Sequence, residues 1–160
     1  MKKYLNILIG VPASGKSTFA KNVLSEESTI VSRDVIRYSM LKDGEEYFSH
    51  EKEVLREFIN QIQALIDKGE NVTADATHLN RYSRNRLIHC LTNLEDYEIC
   101  GYFFTTPLEV CLERNSLREG RARVPDESIV QMYDNLTYPE SCEKFDWIFM
   151  ISADGNFILK

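Results

Sequence analysis

Nine residues near the N-terminus have the types and the spacing of a phosphate-binding loop. They read Gly-Val-Pro-Ala-Ser-Gly-Lys-Ser-Thr at positions 10–18, which fits a glycine, four free positions, and then Gly-Lys-Ser or Gly-Lys-Thr. Glycine permits backbone angles that a Cβ would forbid, so we expect Gly10 and Gly15 to let successive N–H groups turn inward around a phosphate. The sequence therefore predicts a site for the phosphate chain of a nucleoside triphosphate.

The polar residues of this loop have the chemistry that phosphate transfer requires. Lys16 brings a positive charge to the β- and γ-phosphates, and Ser17 offers a hydroxyl to Mg²⁺. A helix that should begin near Lys16 adds free N–H groups and the positive end of its dipole. We therefore predict ATP and Mg²⁺ as cofactors, Lys16 as a catalytic residue and Ser17 as a metal ligand. The predicted nucleotide-binding residues of the loop are Gly10, Pro12, Ala13, Ser14, Gly15, Lys16, Ser17 and Thr18.

Two aspartates each follow a short apolar run that is typical of a strand. Asp34 comes after residues 29–32, and Asp75 ends the run that begins at residue 71. Ligands bind at such strand ends in parallel sheets. We predict Asp34 as a catalytic general base that takes the proton of an acceptor hydroxyl, although capping the next helix is an alternative role. We predict that Asp75 supports Mg²⁺, with a capping or turn role as the alternative.

Arginines supply the positive charge that a triphosphate and an anionic acceptor require. Arg37 lies one turn after Asp34 on the same helix face, where it can hold a phosphate or carboxylate of the acceptor bidentately, unless it is merely solvated. A further helix begins at Leu108 and runs into an arginine cluster, and we predict that this helical segment, residues of about 114–125, forms a lid over the nucleotide. The lid arginines are Arg114, Arg118, Arg121 and Arg123.

The lid arginines allow two interpretations. Four arginines with one intervening acid would repel one another if they were solvated, whereas opposite a triphosphate they would neutralise charge in the transition state. Arg118 is our first candidate for the catalytic arginine, and Arg121 and Arg123 are predicted nucleotide contacts. A basic surface helix is the alternative.

Three other features carry weaker predictions. Arg81, Arg84 and Arg86 open the helix after Asp75 and line either an acceptor groove or a solvated face. His78 is assigned no role, because a lone histidine in a loop is more often solvated. The four cysteines have neither a C-x-x-C spacing nor companion histidines, so we predict reduced thiols, no zinc site, no disulfide framework and a cytoplasmic location.

Apolar runs alternate with helical patterns, which predicts repeated β-α units and a mostly parallel sheet. Strands are expected at residues 5–9, 29–32, 71–74, 97–104 and 147–151. Besides the helices that follow the phosphate loop and enter the lid, helices are expected at residues 35–41, 46–68, 81–94 and 126–136. The prediction is an α/β fold of the P-loop NTPase kinase type, with a five-stranded sheet flanked by helices, in a single domain over residues 1–160.

Composition excludes some classes of protein. Of the 160 residues, 43% are hydrophobic and 28% are charged, which is typical of a soluble globular protein. No apolar run approaches the roughly 20 residues of a membrane span, so we expect no membrane partner. The net charge of −6 argues against coating nucleic acid by general electrostatics, but it allows a local basic pocket to grip a strand end.

Several segments together resemble a known family. The loop at 10–18, Val-Ser-Arg-Asp-Val-Ile-Arg at 31–37 and Asp-Ala-Thr-His-Leu-Asn at 75–80 are similar to the kinase domain of the phage polynucleotide 5′-hydroxyl kinases. The segments at 114–125 and 129–133 continue the match. The resemblance implies ATP and Mg²⁺ at Lys16 and Ser17, Asp34 as general base, Arg37 on the acceptor's phosphate, Asp75 as an essential site residue, and the lid arginines on ATP.

The chain also departs from that family. The lid spacing differs by about one residue, which leaves open which lid arginine is essential. The Asp-x-Asp-x-Thr motif of the family's phosphatase domain does not follow residues 145–149, so we expect a kinase without a repair phosphatase. The leading prediction is ATP-dependent phosphorylation of a 5′-hydroxyl end of DNA or RNA. The alternatives are a kinase for a sugar, nucleoside or shikimate-like acid, and an NTP-binding switch or partner module with little transfer activity.

Overall fold

The computed structural model describes residues 1–158 of the chain, and its first strand, β1 (Lys3–Ile9), is the centre of the sheet. The last five residues of β1 are buried, because helices or loops cover both faces of a parallel sheet. The other strands are β2 (Thr29–Ser32), β3 (Val72–Asp75), β4 (Tyr97–Phe104), β5 (Trp147–Ile151) and β6 (Phe157–Ile158).

The strands lie in the order β2-β3-β1-β4-β5-β6. All neighbours are parallel except β6, which pairs with β5 in the antiparallel direction. The α/β fold and the mostly parallel sheet are therefore confirmed. The predicted number of five strands is wrong by one among the described residues, because β6 is too short to give a period-two pattern and forms by turning back at Gly155.

Helices connect the parallel strands. They are α1 (Lys16–Phe19), which continues as a π-helical turn at Ala20–Leu24, then α2 (Arg33–Met40), α3 (Glu51–Asp67), α4 (Arg81–Cys90), α5 (Leu108–Ser116) and α6 (Asp126–Asn135). A single 3₁₀ turn, Gly120–Ala122, lies between α5 and α6.

Several helix bounds differ from the prediction, and α2 begins at Arg33 rather than at residue 35 because Ser32 is its cap. Helix α3 begins at Glu51 rather than at residue 46, because the preceding residues form turns closed by hydrogen bonds such as Ser49 N to Glu46 O. Helix α4 ends at Cys90 rather than 94, since Leu91 is extended and Asn93 has a positive φ of 62°. Helix α5 ends at Ser116, so it includes Arg114 but not the later lid arginines, and most of the lid is not helical.

The two faces of β1 pack into separate clusters, as the alternation of side chains along a strand requires. Leu5 and Ile7 face α3 and α4, where they contact a layer that includes Phe58. Leu8 faces the opposite side and packs with Phe19 and other aromatic residues. Complete burial of such side chains stabilises the fold by about 1.5–3 kcal/mol each. The phosphate loop is therefore carried by the most firmly packed strand.

Arg84 belongs to the core rather than to an acceptor groove or a solvated face. Its side chain has no exposure and donates from Nε and Nη2 to the two carboxylate oxygens of Glu143, at 2.7 and 3.0 Å. Its Nη1 also donates to the carbonyl oxygens of His78 and Thr137. The prediction for Arg84 is wrong because sequence position alone does not show that Glu143 is its partner.

Two further features of the described residues bear on the predicted class. No helix within residues 1–158 is long and apolar enough to cross a membrane. The four cysteines are free thiols, with Cys100 and Cys111 buried and Cys90 and Cys142 exposed.

Candidate active site

The phosphate loop joins β1 to α1, and its shape depends on its two glycines in different ways. Gly15 has a φ of 100°, which favours glycine, and Ala13 also has a positive φ of 63°. Gly10 is not in this conformation. A Cβ at Gly10 would lie 2.7 Å from Oγ of Ser14 and 3.1 Å from Cβ of Phe104. The expected role of Gly10 is therefore corrected, because the position needs space rather than an unusual backbone angle.

The loop is tied to its surroundings by buried hydrogen bonds. Thr106, which follows β4, donates its hydroxyl to the carbonyl oxygen of Ser14 at 2.7 Å. Nζ of Lys16 donates to the carbonyl oxygen of Val11 at 2.8 Å. Helix α1 has no side-chain cap, so N–H groups of its first turn are available to an anion. The loop thus presents a preformed phosphate cradle.

Lys16, Ser17 and Asp75 meet where β1 and β3 end side by side. The hydroxyl of Ser17 donates to Oδ2 of Asp75 at 2.7 Å. Burial raises the pKa of Asp75 above its ordinary value, while the charge of Lys16 opposes the shift. Burial likewise lowers the pKa of Lys16, and the charges of Asp75 and Asp34 oppose that shift. The three groups are close enough to influence one another.

Ser17 and Asp75 make a donor set that fits Mg²⁺. Magnesium is usually held by one or two carboxylates and by substrate phosphates, with several waters retained. A hydroxyl and a carboxylate at hydrogen-bond distance match that requirement. Residues 1–158 contain no group of three or more His, Cys, Asp or Glu that would hold a metal by itself. A metal at this position would therefore depend on the nucleotide.

Asp34 lies in the first turn of α2, but it does not cap the helix. The cap is Ser32, whose Oγ accepts a hydrogen bond from the Val35 N–H at 3.3 Å. The alternative capping role of Asp34 is therefore wrong. The Asp34 side chain is 52% exposed, and its carboxylate accepts hydrogen bonds from Arg37 and, at 2.9 Å, from Tyr47. A carboxylate on the cleft wall that is not needed as a cap is free to meet an acceptor.

Arg37 is buried and already engaged. Its Nε and Nη2 donate to both oxygens of Glu51, at 2.6 and 3.1 Å, while Nη1 donates to Asp34 and to the Tyr47 hydroxyl. Burial lowers the pKa of Arg37, but hydrogen bonds to Glu51 and the surrounding negative charges raise it above its ordinary value overall. Four of its five N–H groups are used, so Arg37 has one left for an acceptor in this arrangement.

Arg33 is a neighbour of this cluster that the sequence analysis did not single out. Its Nη2 donates to Glu51 at 3.0 Å, and the residue borders the same cleft as Arg37. Burial lowers the pKa of Arg33, against the charge of Glu51. One carboxylate therefore holds two arginines beside Asp34.

The lid arginines do not act as one cluster. Arg118 borders the cleft and has one hydrogen bond, from Nη1 to the carbonyl oxygen of Ala122 at 3.4 Å. Arg121 instead donates to Asp43 and to the Leu41 carbonyl oxygen at the end of α2. Arg123 is exposed and borders neither cleft described below. Of the predicted lid contacts, Arg118 is the one that lies at the site.

A buried asparagine fixes both ends of the lid. Asn115 has no exposure and exchanges hydrogen bonds with the backbone of Val124, from Nδ2 to the carbonyl oxygen at 2.7 Å and from the Val124 N–H to Oδ1 at 3.1 Å. Nδ2 also donates to Asp126 at the start of α6. The lid is therefore a loop closed at its base, rather than the extended helix that we expected.

Two clefts flank the phosphate loop. The main cleft has a volume of about 250 Å³. It is lined by predicted site residues from the phosphate loop, α1, α2, the end of β3 and the lid, namely Pro12, Ala13, Gly15, Lys16, Ser17, Thr18, Asp34, Arg37, Asp75 and Arg118. A second cleft of about 470 Å³ lies on the other side, between Asn22, residues 152–155 and Arg114, whose Nη2 donates to the Ala153 carbonyl oxygen. Ser14 and Arg118 also border the second cleft, whereas Gly10 borders neither.

His78 is buried, so the expectation that it is solvated is wrong. Its Nδ1 is 2.7 Å from the carbonyl oxygen of Leu8, and its backbone φ is 43°. Burial lowers its pKa from 6.5 to about 4, so the ring is neutral near pH 7. Of the other two arginines grouped with Arg84, Arg81 pairs with Glu140 at 3.5 Å and Arg86 is exposed.

Several site residues escaped the sequence analysis. Thr106 stands two residues after the end of β4, so the strand-end argument that identified Asp75 applies to it as well. Tyr47 and Glu51 gave no such signal, because they lie in or beside a segment whose pattern predicted a continuous helix. Residues 152–155 border the second cleft and lie in the turn between β5 and β6. They were missed because β6 was not predicted.

Comparisons with known proteins agree with this architecture. A family model described as an AAA domain matches residues 5–139. A putative bifunctional polynucleotide kinase/RNA ligase of Autographa californica nuclear polyhedrosis virus is 26% identical over 177 residues, which cover 98% of this chain and 25% of that protein. The L-seryl-tRNA(Sec) kinase of Methanococcus maripaludis is 28% identical over 151 residues, which cover 89% of this chain and 55% of that protein.

A solved structure has a similar fold. A chain of the Pnkp1/Rnl/Hen1 RNA repair complex is 25% identical, with a TM-score of 0.69 over 84% of this chain and 44% of that chain. This chain thus spans about a quarter to a little over half of the length of these relatives. Because the family model covers most of the sequence and the phosphate loop joins the central strand to α1, the chain belongs to the AAA domain family and has the α/β fold of the P-loop kinases.

Proposed function

We propose that this domain transfers the γ-phosphoryl group of ATP to the 5′-hydroxyl end of a DNA or RNA strand, as a phage-type polynucleotide kinase does. The observation that carries the proposal is the position of Asp34. Its half-exposed carboxylate borders the same cleft as Lys16 and the Ser17–Asp75 pair. A phosphate cradle alone would bind a nucleotide. A carboxylate in the same cleft can also take the proton of an acceptor hydroxyl, which phosphoryl transfer requires.

In this mechanism each residue has one task. The loop N–H groups and Lys16 hold the β- and γ-phosphates, and Ser17 and Asp75 would hold Mg²⁺, which neutralises phosphate charge when bound. The acceptor oxygen attacks the γ-phosphorus as its proton passes to Asp34. The bond between the γ-phosphorus and the bridging oxygen of ADP breaks, and ADP leaves with that oxygen. Arg118 stabilises the charge that develops on the transferred group.

The two clefts suggest how ATP lies. The phosphate chain would follow the loop into the main cleft, and the nucleoside would extend into the second cleft beside residues 152–155. Arg118 borders both clefts, so it can contact the phosphates from above the loop. Arg114, held by Ala153, forms a fixed wall there rather than a mobile contact.

A strand end is the acceptor that the charges favour. The main cleft is lined by four cations, Lys16, Arg33, Arg37 and Arg118, and by three carboxylates, Asp34, Glu51 and Asp75. This excess of one positive charge, in a protein whose net charge is −6, favours a phosphate of a strand at the cleft. Relatives named as polynucleotide kinase and as a component of an RNA repair complex support the same class of acceptor. Arg37 would contact the acceptor through its one remaining N–H group rather than bidentately, because Glu51, Asp34 and Tyr47 take the other four.

A smaller hydroxyl compound is the second candidate. The main cleft is only about 250 Å³. Glu51, Asp34 and Tyr47 together take four of the five N–H groups of Arg37, the arginine that an anionic acceptor would need. A relative named as an L-seryl-tRNA kinase is consistent with an acceptor other than a strand end. Both candidates use the same base and the same phosphate site.

Transfer from [γ-³²P]ATP to a panel of acceptors tests the proposal. The panel contains 5′-hydroxyl oligonucleotides, 3′-phosphorylated nucleosides, unphosphorylated nucleosides and sugars. We expect label on oligonucleotides and 3′-phosphorylated nucleosides, and little on nucleosides without a phosphate. Preferential labelling of a free sugar or nucleoside would favour the second candidate. ATP hydrolysis that no acceptor stimulates would contradict both and favour a nucleotide-binding switch.

A further inference from the structure

The two carboxylate oxygens of Asp34 have unlike surroundings. Oδ1 accepts a hydrogen bond from Nη1 of Arg37 and a second one from Oη of Tyr47, at 2.9 Å for the tyrosine. Among residues 1–158, Oδ2 has no hydrogen-bond partner. It belongs to a half-exposed side chain on the wall of the main cleft. One oxygen is therefore held by two donors, and the other is left for a ligand.

The Tyr47 hydroxyl cannot donate to Arg37, although the two groups are hydrogen-bonded. Its oxygen accepts from Nη1 of Arg37 at 3.1 Å, and a guanidinium has no acceptor to offer in return. The single phenolic hydrogen is thus directed to Oδ1 of Asp34. Burial, and then the charge of Asp34, raise the pKa of Tyr47, which keeps that hydrogen in place.

The ring of Tyr47 is also held in place. It lies under the Arg37 guanidinium, with Cζ 4.6 Å from the ring centroid, and it meets the ring of Phe48 edge-on at 4.7 Å between centroids. The ring of Tyr38 also packs edge-on against it, with 6.3 Å between the two ring centroids. These contacts come from the turn before α3 and from α2, so the hydroxyl is positioned by packing rather than by chance rotation of an exposed side chain.

We propose that Tyr47 is a positioning residue for the reaction: together with Arg37 it occupies Oδ1 of Asp34, and this leaves Oδ2 as the atom that takes the acceptor's proton. This inference rests on the proposed function, because it refines the role of Asp34 in it. Without Tyr47, the carboxylate keeps one donor and can rotate about its last side-chain bond. The correct oxygen then faces the acceptor for a smaller fraction of the time.

Tyr47→Phe tests the inference, because it removes the hydroxyl and keeps the ring over Arg37. We expect kcat for the best acceptor to fall about 10- to 100-fold, the scale for losing a hydrogen bond to a charged group, while the KM for ATP stays unchanged. Tyr4→Phe is the matched control, because Tyr4 lies at the opposite end of β1 from the phosphate loop and should retain wild-type turnover.

A double-mutant cycle separates positioning from a general structural role. In an Asp34→Asn background, Tyr47→Phe should cause no further loss, since its effect passes through the Asp34 carboxylate. An equal loss in both backgrounds, or wild-type turnover of Tyr47→Phe beside a depressed Asp34→Asn, would overturn the inference and leave the proposed function standing. Wild-type turnover of Asp34→Asn itself would contradict the proposed function.

Discussion

Arg118 is the lid arginine that borders the main cleft, and its guanidinium is weakly held. Its one hydrogen bond, to the Ala122 carbonyl oxygen, is long at 3.4 Å. Its charge also lowers the pKa of Lys16, although burial is the larger cause of that shift. A weakly held cation beside the phosphate lysine can move onto a nucleotide at little cost.

Arg118→Ala should therefore lose turnover far more than its neighbours do. If Arg118 stabilises the transition state in the way of an arginine finger, kcat should fall by about 10³ or more. Steady-state transfer by Arg118→Ala, Arg121→Ala and Arg123→Ala checks this, with Arg123→Ala as the exposed control. Loss of turnover in Arg121→Ala or Arg123→Ala with normal turnover in Arg118→Ala would move the essential arginine along the chain.

The placement of the phosphate loop and the strand-end aspartates at one cleft was predictable from local sequence. The loop that carries Lys16 and Ser17 follows β1, and Asp75 ends β3, and the geometry of a parallel sheet brings such positions together. Arg84 and His78 were not predictable in this way. Their burial depends on partners far along the chain, such as Glu143 for Arg84, and a single sequence carries no sign of that pairing.

At the scale of elements, the lid is a loop whose two ends are joined by Asn115. The buried Asn115 amide donates two hydrogen bonds, to Val124 and Asp126, and accepts a third from the Val124 N–H, across eight intervening positions or more. The 3₁₀ turn at Gly120–Ala122 and the bond from Arg121 to Asp43 hold the rest of the lid against the end of α2. Opening of the lid would therefore leave the Asn115 joint intact and release the Arg121 contact.

Asn115→Leu should loosen this joint with little change in volume. It removes the hydrogen bonds and leaves the buried backbone groups of Val124 without partners, so we expect a loss of about 1–3 kcal/mol in the free energy of unfolding. The KM for ATP should also rise, since Arg118 is no longer presented. Chemical denaturation and transfer kinetics measure both effects, and Ser116→Ala is an exposed control. Unchanged stability and kinetics would show that the joint does not matter.

The limits of the elements were harder to predict than their order. All five predicted strands exist, because the alternation of apolar runs and turns is strong in the sequence. The start of α3 was missed because apolar spacing continues through residues 46–50, where hydrogen-bonded turns replace the helix. That error concealed Tyr47, which lies in one of those turns and contacts the candidate base.

At the scale of the whole molecule, a buried neutral histidine links stability to pH. The pKa of His78 is lowered by burial to about 4, so between pH 6.5 and 4 the unfolded chain binds a proton that the folded chain does not. The contribution of His78 to stability is present at neutral pH and declines as the pH falls through this window. The expected loss between pH 7 and 4.5 is roughly 2 kcal/mol.

His78→Asn isolates this contribution. Asparagine tolerates the positive φ of this position and can donate to the Leu8 carbonyl oxygen, but it does not titrate in this range. Its free energy of unfolding should decline less than that of the wild type between pH 7 and 4.5, and His89→Asn, at an exposed site on α4, serves as the control. Parallel pH dependence of wild type and His78→Asn would contradict the assignment.

The distribution of charge over the molecule favours a small anionic acceptor over a long polyanion. A net charge of −6 opposes binding of a long polyanion, while Arg33, Arg37 and Arg118 face one cleft together with Asp34. Such a molecule suits an acceptor that offers few phosphates and a terminal hydroxyl. We therefore expect Asp34 to act as the base toward that hydroxyl.

Single-turnover transfer from ATP to a 5′-hydroxyl oligonucleotide, by wild type and by Asp34→Asn, tests this claim most directly. Asparagine keeps the shape of aspartate but cannot take the proton, so the rate should fall by about 10²–10⁴ while the Kd for ATP stays close to that of wild type. A rate equal to that of wild type would contradict the account. So would weaker ATP binding with an unchanged rate per bound ATP, because Asp34 would then be a nucleotide contact.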